Sequence, residues 1–186
     1  MKVALDAGHG ARGGRSFTGA RANGLVEDEL ALDFVRRVGH HLRKAGHETV
    51  YTRSDRNLVS LSLRGRIACE AECDAFLSFH CNAGPQQANG VEAFVARGDE
   101  RSKALARTLV DTVAQCGMNS RGVKWDCRSQ HRRLRVLQDT YRTMPAVLLE
   151  LGFLTNPDDA SLLKNRFFRE SISRSIADAL DTALID

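Results

Sequence analysis

No apolar run in this chain is long enough to span a bilayer, so a membrane anchor is not expected. The N-terminal stretch MKVALDAGHG lacks the apolar region of a signal peptide and enters a strand directly. Aromatic residues are only 6% of the chain and no nucleic-acid motif is present. The net charge of +4 and the pI of about 9.0 are therefore not read as a nucleic-acid footprint, and no nucleic-acid partner is expected. The five cysteines are odd in number and form no CxxC pair, which argues against a disulfide framework. Cys69 and Cys73, four apart on a predicted helix, could hold a metal but read better as small core residues. Repeats, low-complexity tracts, linkers and an HExxH helix are also absent.

What is present is an ordinary globular composition, 42% hydrophobic and 27% charged over 186 residues, enough for one domain spanning 1–186 with a sizeable core. Strands are predicted at Lys2–Asp6, 47–53, 75–83, Val91–Arg97, Leu134–Gln138 and through AVLLELG after Pro145. A loop rich in Gly, Arg and Ser separates the first strand from a helix starting at Glu27, with Leu30, Phe34, Val35, Val38 and Leu42 on one face. Further helices are expected over 60–73, with Leu63, Ile67 and Ala71 inward, from Asp99 to Gly117, and after Asn156-Pro157. Phe168, Ile172, Ile176 and Leu180 form a stripe on the last helix. Residues 118–131 read as an irregular surface segment. Strands alternating with helices give an α/β fold: a single, mostly parallel sheet flanked by helices on both faces.

Three strand tips end in groups able to bind metal or move protons: LDAGHG, LSFHCNA and AVLLELGF. Each alone has a structural explanation. His80 could be a hydrogen-bonded residue at a strand end, and His9 part of a Gly-rich turn. Glu27 could simply complement the positive end of a helix dipole. Together His9, Glu27 and His80 make a His₂Glu set, as a catalytic zinc requires, and Glu150 adds a free carboxylate for proton transfer. Glu29 is the rival to Glu27, but lies about 200° round the helix. Cys81 points to the opposite face from its neighbour His80. Asn82 and Glu92 are candidates for outer hydrogen bonding or plain loop structure. Basic residues gather at Arg12, Arg15 and Arg21, and at Arg132, Arg133 and Arg135, either for an anionic partner or as a solvated face.

The blocks LDAGHG, GLVEDEL, LSFHCNA, NGVEAF, RGVK and MPAVLLELGFLTNPDD occur in that order. They resemble the signature blocks of the zinc-dependent N-acetylmuramoyl-L-alanine amidases, the Amidase_3 family, over nearly the whole chain. The resemblance implies a six-stranded sheet flanked by helices. It implies one Zn2+ per chain held by His9, Glu27 and His80, with Glu150 as catalytic acid/base. Ala7 stands where the family usually has Pro, and Cys81 where a small residue is usual; neither change removes a ligand. The substrate implied is peptidoglycan, cut between N-acetylmuramic acid and L-alanine. The alternatives are another metallo-peptidase acting on the stem peptide and a non-catalytic wall-binding module. A catalytic domain without a leader resembles a phage enzyme released through a holin pore, or a bacterial enzyme separated from its leader.

Overall fold

The structure, a computed structural model, describes residues 1–12 and 16–183. Its centre is a six-stranded sheet in the order β6-β1-β7-β10-β8-β9. The strands are β1 (Lys2–Ala7), β6 (Glu48–Tyr51), β7 (Ala75–Asn82), β8 (Val91–Val95), β9 (Ser120–Trp125) and β10 (Ala146–Phe153). All neighbouring pairs are parallel except β10 with β8. Two small ribbons, β2 (Gly10–Arg12) with β3 (Ser16–Thr18) and β4 (Arg21–Ala22) with β5 (Leu25–Val26), lie between β1 and α1. The helices are α1 (Glu27–Lys44), α2 (Leu61–Glu70), α3 (Glu100–Gln115), α4 (Arg135–Gln138), α5 (Pro157–Lys164) and α6 (Arg166–Ala183).

Side chains alternate between the two faces of a strand, and here the alternation separates two cores. Val3, Leu5, Leu77, Phe79, Val147 and Leu149 face the long helices α1, α3 and α6, whose Phe34, Val38, Leu109, Ile172 and Ile176 complete the larger core. The opposite parity, Ala4, Phe76, Phe94 and Leu148, packs with Ala68 of α2 and with Val136 and Leu137 of α4. The second face therefore has only short helices over it. Towards the ends of β1, β7 and β10 its residues turn polar, as Asp6, Ser78, His80 and Glu150.

The mostly parallel α/β architecture expected from the pattern is the one found, with differences at four places. The sixth strand is β9, inside the segment expected to be irregular. As an edge strand beside β8 alone, SRGVKW has no apolar run to announce it. The segment expected as a strand at 134–138 is instead α4, where Gln138 and Asp139 amides bond back to the Leu134 and Arg135 carbonyls at 3.0 Å. A run this short has no usable period. The loop after β1 contains the two ribbons. On α2 the buried residues are Arg64, Gly65 and Ala68 rather than Leu63, Ile67 and Ala71. By contrast, α5 starts as expected: the Asn156 side chain accepts from the Asp158 and Asp159 amides, with Pro157 in the first turn.

The reason for the unexpected face of α2 is Arg64. It is 1% exposed and donates to the carboxylate of Asp6 at 2.7 Å. Asp6 also accepts from Ser78 at 2.6 Å and from Thr52. Burial opposes ionisation of Asp6, but the Arg64 charge and the Ser78 and Thr52 hydroxyls outweigh it and hold the carboxyl below its ordinary range. The unfolded chain therefore takes up this proton first. The stabilisation is complete above about pH 4 and is lost as pH falls through the lower, folded-state value.

Asp6→Asn should leave Arg64 buried without its counter-charge and cost about 3–5 kcal/mol of stability at pH 7. Urea denaturation measures this. The gap between wild type and variant should narrow as pH drops below about 4. A loss at pH 7 within ordinary surface-substitution scatter would show that the pair does not carry this weight.

Candidate functional site

The site is built at the ends of β1 and β7 and the start of α1. His9 follows β1 in a left-handed backbone conformation, φ 60°, which is unfavourable for a residue with a Cβ. Buried guanidinium groups hold it there. Arg64 donates to the carbonyls of Ala7 and His9, both at 2.5 Å, and Arg53 to those of Ala7 and Gly8 at 2.8 and 2.7 Å. With the carbonyls turned to the arginines, the imidazole turns towards α1. Gly8 lets the neighbouring strand close in, because a Cβ there would sit 2.3 Å from Cε1 of His80. Gly19, at φ +95°, likewise makes room for His9 and Glu27, to which a Cβ would come within 2.8 and 2.9 Å.

Glu27 is the first residue of α1 and is 4% exposed. Its Oε2 accepts from the Ala20 amide at 2.8 Å, and its Oε1 from the Cys81 amide at 3.1 Å. The same Oε1 lies 3.0 Å from Nε2 of His9 and 3.0 Å from Nδ1 of His80. The two imidazole nitrogens are 3.2 Å apart. Burial opposes charge on Glu27, but the two histidines outweigh it and hold the carboxyl far below the usual range.

Three ligand atoms thus converge within 4.8 Å, the one such metal-competent group of His, Cys, Asp or Glu among the described residues. Hydrogen bonding alone serves this triangle poorly. If both imidazoles donate to Glu27, their two protons crowd each other across 3.2 Å; if one does not, a lone pair faces the carboxylate. A cation at the centre satisfies all three atoms.

Glu150 pairs in register with His80 on one side and Glu92 on the other. Its Oε2 is sealed from solvent and has no hydrogen-bond partner, while the residue as a whole stays part-exposed. Burial, and then the charges of Glu27 and Glu92, push its carboxyl well above the usual range.

The other candidates fall into place around this centre. Glu29 points away, with its carboxylate 2.6 Å from Nη1 of Arg56 and half in solvent. Cys81 is buried in the larger core and reaches the site through its amide, not its thiol. Asn82 and Glu92 bond each other at 3.0 Å. Cys69 and Cys73 belong to the smaller core, and all five cysteines are free. Arg132, Arg133 and Arg135 are exposed around α4, with Arg133 on Gln138 and Arg135 on Asp139. Arg21 is exposed, and Arg15 and the Arg12 side chain lie outside the described residues. Sequence reasoning missed Arg53 and Arg64. The available signal was on α2, where Gly65 and Ala68, one and four residues beyond Arg64, mark the closely packed side.

Comparisons with known proteins bear on the family and the fold. The family model described as N-acetylmuramoyl-L-alanine amidase, Amidase_3, matches residues 3–182. The N-acetylmuramoyl-L-alanine amidase LytC of Bacillus subtilis is 34% identical over 180 residues, which are 95% of this chain and 34% of LytC. The probable cell wall amidase LytH of Staphylococcus aureus is 33% identical over 96% of this chain and 56% of LytH. The chain thus spans about a third and just over half of these two relatives. The catalytic domain of CwlV, an N-acetylmuramoyl-L-alanine amidase from Bacillus (Paenibacillus) polymyxa var. colistinus, superposes with a TM-score of 0.86 at 30% identity. That alignment covers 99% of this chain and 98% of the CwlV domain. With a matched family model over nearly its whole length and the same fold, this chain belongs to the Amidase_3 family of N-acetylmuramoyl-L-alanine amidases.

Proposed function

We propose that this chain is a zinc-dependent amidase of peptidoglycan, hydrolysing the amide between the lactyl group of N-acetylmuramic acid and L-alanine of the stem peptide. The observation that carries the reading is the convergence of His9, Glu27 and His80 beside a carboxylate with a buried, partnerless oxygen. The donor set fits zinc. Two imidazole nitrogens and one carboxylate oxygen are a common catalytic zinc set, and bonds near 2.0 Å in a tetrahedron put ligand atoms roughly 3.3 Å apart. The spacings here are 3.0, 3.0 and 3.2 Å.

A bound zinc supplies a Lewis acid that activates water and polarises the scissile carbonyl. The chain's own residues do the rest. His9, Glu27 and His80 would hold the metal. Backbone amides of Ala20 and Cys81 fix the orientation of Glu27. Glu150, one strand over from His80, takes the proton from the attacking water. It then delivers that proton to the nitrogen of the departing L-alanine. A raised carboxyl pKa suits a group that must both accept and release a proton near neutrality. A wall-binding module would have no use for such a carboxylate. The place of action is the cell wall.

Product analysis on purified peptidoglycan tests the reaction: new L-alanine amino termini with an intact glycan support it, and cuts elsewhere in the stem would replace it with a peptidase. For the metal, Glu27→Gln should weaken zinc binding by more than about 100-fold, beyond what loss of an outer partner does. Glu29→Gln should leave it nearly unchanged, because Glu29 is engaged with Arg56. Chelator competition ranks the two, and the reverse order would reassign the ligand.

Glu150→Gln keeps the side chain's shape and removes its proton transfer. Turnover should fall by about 10²–10⁴-fold while zinc content, melting temperature and wall binding stay at wild-type levels. Measured on one preparation, zinc loss in parallel with activity would make Glu150 a ligand. Full activity would remove it from the reaction.

A further inference from the structure

Next to Glu150 in the antiparallel pairing of β10 with β8 lies Glu92, and it is engaged more heavily than burial requires. Its side chain is 6% exposed. Oε1 accepts from Asn82 at 3.0 Å; Oε2 accepts from Arg121 Nε at 2.6 Å and from Lys124 Nζ at 2.5 Å. One cation would neutralise this carboxylate. Two leave a local surplus of positive charge on the same face of the sheet as His80 and Glu150.

The two cations are anchored at the base and open at the tip. Arg121 spends only Nε on Glu92, and its guanidinium lies over the Phe153 ring, 4.8 Å from the centroid. No protein group among the described residues takes its Nη1 or Nη2 hydrogens. The side chains of Arg121 and Lys124 remain 35% and 30% exposed, against 6% for the carboxylate beneath them. A planar fork and an ammonium held side by side match the two oxygens of a carboxylate.

We propose that Arg121 and Lys124, tethered by Glu92, bind the free α-carboxylate of the second stem-peptide residue and so set which way the substrate lies across the sheet. The proposal rests on the amidase reading for the identity of the substrate. In that substrate the sugars are uncharged and the lactyl carboxyl is tied up in the scissile amide, so free carboxylates belong to the peptide half. The distances agree. Because both cations reach Glu92, they lie over β8, about 4.8 Å from β10 and Glu150. The α-carboxylate of the second residue lies about two residue lengths, at most roughly 7 Å, from the nitrogen that Glu150 protonates. The peptide half then runs towards β9 and the glycan towards β1.

The test uses two probes, the dipeptide L-alanyl-D-glutamate with its γ-carboxyl capped as the methylamide, whose one free carboxylate is the α-carboxylate, and the α-carboxamide of the same capped dipeptide. Binding of each to the full chain is followed by NMR titration for wild type, Arg121→Gln and Lys124→Met. The wild type should bind the carboxylate about tenfold more tightly than the amide, the scale of one part-exposed charge-assisted contact. Each variant should lose most of that preference while zinc content is kept. Each also leaves Glu92 two of its three donors, so if one variant fails to fold, the other decides. Absence of measurable dipeptide binding, equal binding of both probes by the wild type, or an unchanged preference in a folded variant overturns the proposal. Failure of the amidase reading is seen separately, as peptidoglycan digestion that yields no new L-alanine amino termini.

Discussion

Arg64 is a buried cation, and the site is arranged around it. Its guanidinium meets Asp6 and the carbonyls of Val59, Ala7 and His9. Arg53, also buried, meets the carbonyls of Ala7, Gly8, Asp28 and Asp55. Two buried guanidinium groups with one full carboxylate between them make a costly arrangement, which holds only when every donor has an acceptor. Burial, and then the nearby Arg64, push Arg53 down to about 10, still charged at neutral pH. The carbonyls of the AGH turn provide those acceptors. The turn is thereby locked with His9 at positive φ, and the Asp28 carbonyl, twenty residues beyond Gly8 in sequence, accepts from the same Arg53. This ties the start of α1, and so Glu27, to the end of β1. The three side chains of the triad come from distant parts of the sequence, and this buried network sets their relative positions.

The sheet supplies the second constraint. Alternation sends Phe79 and Cys81 into the larger core and leaves Ser78 and His80 on the thinly covered face. On β10 it does the same with Leu149 and Leu151 against Glu150. Parallel pairing of β7 with β10 then puts His80 and Glu150 side by side, and antiparallel pairing of β10 with β8 puts Glu92 next in line. A one-residue slip between any of these strands would put a carboxylate or an imidazole among the apolar residues under α1 and α6. Burial of the large core therefore protects the register on which the row depends.

The parts of this arrangement legible in the sequence were those with strong local signals. Glu27 opening α1, the Asn156-Pro157 start of α5 and the apolar strands β7 and β10 all carry period, cap or composition. The grouping of His9, Glu27 and His80 rested on residue type and on the ordered family blocks, because side chains separated by 18 and 53 residues have no local spacing to read. β9 and α4 were exchanged for physical reasons: an edge strand needs no apolar run, and a four-residue helix has too few positions to show a period. Arg64 escaped because a charged residue on an amphipathic helix is normally assigned to water. Its burial follows from Asp6, which lies 58 residues away and is itself hidden in an otherwise apolar strand.

Glu27 and Glu150 show how one side-chain type meets two different environments within one site. Glu27 is buried but meets two backbone amides and two imidazoles, and its carboxyl is held down. Glu150 has an equally buried oxygen with nothing to accept from, and its carboxyl is pushed up, in part by the charge on Glu27 itself. The first environment favours a permanent anion, the second a group that exchanges a proton. The two are coupled with a definite sign. A cation in the triad would cancel part of the Glu27 charge felt at Glu150 and draw its carboxyl back towards the ordinary range. By reciprocity, ionisation of Glu150 strengthens cation binding as pH rises. The Glu150 carboxyl would thus be tuned by whether the triad beside it is filled, with no movement of the backbone required.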